Sequence, residues 1–223
     1  MNIILAILPP VLIAYFVYQQ DKYEREPKSL IIKSFLFGCI SVVPILILET
    51  IFNESLFSSL FVYMFCGVAL VEEGMKYFFL KKYLFNNPEF NEPLDGIVYA
   101  IMVSLGFATI ENIMYVIGAQ SEATSVAILR MFSAIPLHAA CGVIMGYFVG
   151  MAKFKKDNTT ILLLKGILIA TFIHAIYNYF LFLGQGQIIS FVALLVAIYF
   201  SKKALKIHQK DSQIRNSKDE VIF

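Results

Sequence analysis

What most constrains this chain is the recurrence of apolar runs long enough to cross a bilayer. A helix rises about 1.5 Å per residue, so roughly 20 apolar residues span a hydrocarbon core of about 30 Å. Such runs fall at Ile3–Tyr18, Leu30–Phe52, Leu56–Leu80, Ile97–Gly118, Val126–Ala152, Thr160–Phe182 and Gln187–Phe200. With 59% hydrophobic residues, 15% charged residues and a mean hydropathy of +0.74, an ordinary soluble domain is excluded. Hydrocarbon offers no partner to an open backbone, and runs of this length are helical. The expected fold is an all-α polytopic transmembrane bundle of about seven spans. Its first run is interrupted by Pro9-Pro10 and its last is short.

Basic residues test that count, because Lys and Arg collect in cytoplasmic loops. Lys22, Arg25 and Lys28, then Lys81 and Lys82, then Lys153, Lys155 and Lys156 occupy alternate loops. Lys202, Lys203, Lys206, Lys210, Arg215 and Lys218 follow the last run, while the N-terminus and the loops near Asn53, Ala119 and Gly184 hold none. The asymmetry predicts an outside N-terminus and a cytoplasmic C-terminus. It also predicts one integral-membrane domain over residues 1–201, with a polar tail over 202–223, disordered or lying on the surface, in which His208 has no catalytic role. No basic n-region precedes the first run, so it is expected to stay attached as a span. Lys33, Lys165 and Arg130 lie near predicted span ends, where snorkelling accounts for them. A net charge of +2 without a basic, aromatic-interleaved stretch predicts no nucleic-acid partner. Cys39, Cys66 and Cys141 are odd in number, lack C-x-x-C spacing and sit in apolar runs, as small packing residues do.

Against this background "VALVEEGMKYFFL" stands out, since a charge at mid-bilayer costs at least about 2.5–3.5 kcal/mol. In a helix Lys76 falls four residues after Glu72 and three after Glu73, so its ammonium can lie between two carboxylates that resist ionising together. Such a group can serve as a general base, or as a buried ion cluster fixing helix packing. "SLGFATIENIMY" adds Glu111, one turn after Phe107, and Asn112; just before it Asp95 is a candidate helix N-cap. "IPLHAACGVIMGYFVG" places His138 at the head of a ridge through Gly142, Gly146 and Gly150, which lets a neighbouring helix approach and turns His138 toward it. Pro136 is a candidate kink. "ATFIHAIYNYF" puts His174 and Asn178 on one face, a pair able to relay a proton, bind metal or stabilise an oxyanion. Four long spans thus each carry polar groups, and the economical expectation is one hydrated cavity, with a tilt or an irregular turn near Gly74 reconciling their depths.

The motifs "EEGMK", "DGIVYAIMVSLGFATIEN", "PLHA" and "HAIYN" resemble those of the PrsW family of membrane proteases, within the superfamily of the CAAX prenyl endopeptidases and bacterial abortive-infection membrane proteins. The resemblance runs from the third span through the sixth. It implies an endopeptidase of the bacterial cytoplasmic membrane that makes the first cut in a single-span anti-sigma factor, starting regulated intramembrane proteolysis in a stress response. It further implies that Glu72 and Glu73 supply the base, directly or through a histidine, and that His174 and Asn178 stabilise the tetrahedral intermediate. His138 is the candidate second imidazole, and Lys76, Glu111 and Asn112 support. The prenyl endopeptidases carry histidine where this chain has Glu111, which leaves the proton-handling role there open between Glu111, His138 and neither.

Zinc is the alternative to a metal-free mechanism. Glu72, Glu73, His138 and His174 would be its ligands, although H-E-x-x-H is absent. The favoured expectation is no cofactor. A proton-coupled transporter would also place Glu and His within the membrane, but no inverted repeat is detectable. A silent binding scaffold is a third reading.

Overall fold

Every described element is helical. The computed structural model describes residues 2–20, 24–155, 158–184 and 187–219. Lys22, Lys156 and the last four residues of the expected tail lie outside them. The long helices are α1 (Asn2–Gln20), α2 (Lys28–Ile51), α5 (Pro93–Gly118), α7 (Ala134–Phe154), α8 (Thr159–Phe182) and α9 (Gln187–Asp219). Shorter ones are α3 (Leu60–Val62), α4 (Leu70–Phe79) and α6 (Ala123–Phe132). Among the described residues five stretches, Asn2–Gln19, Lys28–Ile51, Pro93–Gly118, Gln120–Phe154 and Thr159–Phe182, are long and apolar enough to cross a bilayer.

α5 is the hub, 78% buried along its spanning window against 17% for α1. Its start is fixed by a capping box in which Glu92 is the N-cap, Pro93 follows, and Asp95 at N3 accepts from the N–H groups of Asn91 and Glu92 at 2.8 and 2.7 Å. Asp95 therefore caps, but from inside the first turn and not from the N-cap position expected. Glycines then bring two helices onto α5 at backbone contact. A Cβ on Gly38 of α2 would lie 1.9 Å from the Val103 carbonyl oxygen, and one on Gly146 of α7 would lie 2.3 Å from that of Gly96. The ridge through Gly142, Gly146 and Gly150 is thus the face α7 turns to α5, as expected from its spacing.

The third and fifth apolar runs depart from plain helices. In the third, π-helical segments at Tyr63–Ala69 and Leu80–Leu84 bracket α4. Each widened turn resets which face looks inward, so the irregularity lies on both sides of the glutamates and not at Gly74, which sits in regular helix with open space beside it. In the fifth, Ser133 at φ −127, ψ −76 separates α6 from α7. Pro136 has no N–H to give the Phe132 carbonyl and its ring crowds that oxygen, so the helix breaks there instead of kinking.

The segment expected to be a disordered or surface-lying tail continues α9 to Asp219. His208 on it is 1% exposed; its Nε2 donates to the Tyr147 carbonyl at 3.1 Å and its ring packs against the Tyr147 ring. Lys33 and Lys165 are exposed, as snorkelling residues should be. All three cysteines are free.

Candidate functional site

Glu72, Glu73, Lys76 and Phe79 form the buried face of α4. The Lys76 ammonium reaches Glu73 Oε1 at 2.8 Å, Glu72 Oε2 at 3.3 Å and His138 Nδ1 of α7 at 3.2 Å. It also lies 4.0 Å from the centre of the Phe107 ring. An ammonium only donates, so Nδ1 must carry the lone pair of His138. The proton then sits on Nε2, which donates to Glu111 Oε2 at 2.9 Å. From α8, His174 Nδ1 donates to Glu73 Oε1 at 3.0 Å, leaving its Nε2 4.0 Å from Glu72 Oε2. The two imidazoles meet edge to face, with ring centroids 5.0 Å apart.

These contacts make the two glutamates unequal. Oε1 of Glu73 accepts from both Lys76 and His174, and the residue is fully buried, with Oε2 lacking a partner among the described residues. Glu72 holds one long contact to Lys76 and is the less committed carboxylate.

The structure brings Glu72, Glu73, Lys76, Glu111, His138 and His174 into one cluster, as the sequence predicts. Asn112 is one connection further out, and Asn178, half-buried one turn beyond His174, joins none of the cluster's hydrogen bonds. Two residues went unrecognised. Arg130, assigned to snorkelling, donates from Nη2 to Glu111 Oε2 at 2.7 Å and from Nε to Asn112 Oδ1 at 2.8 Å. Glu49 of α2 is half-buried within electrostatic reach of Glu72, Glu111 and Lys76. The signal in the sequence is a carboxylate inside the second apolar run.

Donor atoms of Glu72, Glu73, His138 and His174 all lie within 4.8 Å of one another. Two carboxylates and two imidazoles suit zinc, and Glu111 on His138 Nε2 is the outer carboxylate that metal-bound imidazoles usually have. The Lys76 ammonium holds three of the same donors, so a metal and this lysine position exclude each other.

Comparison with known families matches residues 26–201 to PrsW-protease, described as PrsW family intramembrane metalloprotease. The chain belongs to the PrsW family. It is 36% identical to Protease PrsW of Geobacillus kaustophilus over 176 residues, covering 78% of this chain and 77% of the relative. It is 38% identical to that of Oceanobacillus iheyensis over 208 residues, 89% and 93% of the two chains. With the Bacillus subtilis protein the identity is 31% over 209 residues, 91% and 94% of the two chains. No solved structure matches. Family membership makes the chain a multi-pass intramembrane protease.

Proposed function

We propose that this chain is an endopeptidase of the bacterial cytoplasmic membrane, with its N-terminus outside and C-terminus inside. Its substrate in this reading is a single-span membrane protein, an anti-sigma factor cut in the first step of regulated intramembrane proteolysis. The observation that supports hydrolysis is the convergence of two carboxylates and two imidazoles from α4, α7 and α8 within 4.8 Å. Glu72, the less committed carboxylate, takes a proton from water as the water oxygen attacks the scissile carbonyl carbon. Glu73 holds Lys76 and His174 in place. His174, with Nδ1 already engaged, presents Nε2 to the substrate; as imidazolium it donates to the developing oxyanion, joined by Asn178, and then protonates the departing amine. The peptide C–N bond breaks, and Glu72 returns its proton through the site.

The donor set also supports a metal reading, in which Glu72, Glu73, His138 and His174 would hold zinc once Lys76 has swung out. Zinc would polarise the carbonyl and acidify bound water. The saturation of Lys76 by three partners favours the metal-free state.

The test is cleavage of a tagged single-span anti-sigma factor from the same genome by the purified protein in detergent, with Glu72→Gln and Glu73→Gln beside wild type and a chelator added to each. Cleavage that survives chelation and disappears in both variants supports the glutamate mechanism. Loss on chelation alone moves the assignment to metal. Cleavage by both variants at the wild-type rate removes the site from the chemistry.

A further inference from the structure

The cluster does not end at Glu111. Arg130 of α6 grips Glu111 Oε2 and Asn112 Oδ1 with two arms of its guanidinium, at 2.7 and 2.8 Å. Its guanidinium carbon lies 3.9 Å from the centre of the Tyr115 ring, which seats the plane. Asn112 is fully buried and donates through Nδ2 to the Ala6 carbonyl of α1 at 2.9 Å. That carbonyl is open for a specific reason. Its ordinary helical donor would be the N–H four residues on, and residue 10 is proline. The side-chain amide of α5 therefore takes the place of the hydrogen bond that Pro10 removes from α1.

We propose that Arg130 and Asn112 are positioning residues for His138, anchored on the proline-opened turn of α1. The line runs from the Ala6 carbonyl through Asn112, Arg130 and Glu111 to His138 Nε2. Arg130 aims the Glu111 carboxylate, and Glu111, accepting from Nε2–H, holds the His138 ring so that the Nδ1 lone pair required by Lys76 faces Lys76 and the glutamates. A lysine at position 130 could pair with Glu111, yet it lacks the rigid fork that also holds Asn112. α1 lies outside residues 26–201, so an element beyond the family match supports the site.

The catalytic part of this inference rests on the hydrolytic reading above, so its test carries a readout independent of cleavage. Protein with 15N-labelled histidine in detergent is compared as wild type, Arg130→Leu, Arg130→Lys and Pro10→Ala, scoring the His138 Nε2 chemical shift alongside kcat and KM on the tagged anti-sigma factor. Wild type should show one Nε2–H tautomer at His138. Arg130→Leu should keep that tautomer, because Lys76 still donates to Nδ1, but shift the Nε2 resonance as Glu111 loses its aim, and lower kcat about 10–100-fold with KM unchanged, as loss of an outer partner of a site imidazole does. Arg130→Lys should fall between. Pro10→Ala separates positioning from folding, because it restores a helical N–H to Ala6 and should raise thermal stability while lowering kcat. A His138 Nε2 resonance unchanged in Arg130→Leu overturns the proposal whatever happens to cleavage, as does a Pro10→Ala variant with wild-type resonance and kcat. Should Arg130→Leu fail to fold, Arg130→Lys and Pro10→Ala decide in its place. If wild type cuts nothing while the Nε2 resonance still depends on Arg130, positioning stands and the hydrolytic reading falls.

Discussion

At the scale of single residues, the resident cation of the site is Lys76, and its burial makes strong predictions. It is 1% exposed with each of its three donor directions filled. Replacing it by Met leaves two adjacent buried carboxylates without their counter-charge, a change that typically costs about 3–5 kcal/mol. Thermal unfolding in detergent should show a large drop for Lys76→Met, partly restored by zinc, whereas zinc should leave the wild-type midpoint where it is. An equal rise for both proteins would mean that ammonium and metal do not compete for the same donors. For Glu73→Gln the expected outcome is a fall in kcat of about 100–10,000-fold with little change in KM, since the lost charge holds both Lys76 and His174 at the proposed reacting centre. Sequence spacing alone was enough to place Lys76 between its glutamates, because i,i+3 and i,i+4 contacts are local to one helix. Arg130 was not legible in the same way. Its partners lie 18 and 19 positions away, across a helix break, and only the fold brings them within reach.

Elements set the depth at which these side chains meet. Apolar runs marked nearly every helix, because length and hydropathy are properties of the run itself. The π segments and the break at Ser133 were hidden, since both depend on which backbone hydrogen bonds close and leave the apolar pattern unchanged. Gly74 sits in regular helix, and the four-residue glycine spacing on α7 marks a packing face, as that spacing predicts. Two alanine substitutions should separate these roles. Gly146→Ala drives a methyl to 2.3 Å from the Gly96 carbonyl and 2.6 Å from Ile97 Cα, both backbone atoms that cannot step aside. Overpacking of this kind costs about 1–3 kcal/mol, and moving α7 off α5 also shifts His138, so stability and cleavage should fall together. Gly74→Ala meets nothing within 4 Å and exchanges a poor helix former for the best one. It should unfold at the same temperature as wild type or slightly above, a gain of up to about 1 kcal/mol, with cleavage intact. A loss of cleavage in Gly74→Ala with unchanged stability would place substrate against that open face.

For the molecule as a whole, the first and last helices are the parts least expected to matter, and the structure ties both to the bundle. α1 reaches the site line through Ala6, and α9 returns along α7, with Ser201 Oγ donating to the Ala140 carbonyl at 3.2 Å and His208 packed on Tyr147. A polar sequence such as "KIHQKDSQ" gave no hint of this, because its helical face is defined by what it docks against and not by its own hydropathy. Docking makes the far half of α9 sensitive to pH. Burial, the largest effect on His208, pushes its pKa below the ordinary 6.5, against the opposing pull of the Tyr147 carbonyl and Asp211. A histidine with a lowered pKa in the docked state binds fewer protons there than when released. Docking is therefore at full strength above about pH 6.5 and weakens as the pH falls toward the docked-state value. Hydrogen exchange over residues 202–213, corrected for its intrinsic pH dependence, should increase between pH 7.5 and pH 5.5 while α5 stays protected. His208→Phe keeps an aromatic ring on Tyr147 without a titrating group and should remove the pH effect. Exchange that rises equally in His208→Phe would assign the sensitivity to Asp211 or Lys155, the other charges acting on this contact, and not to the histidine.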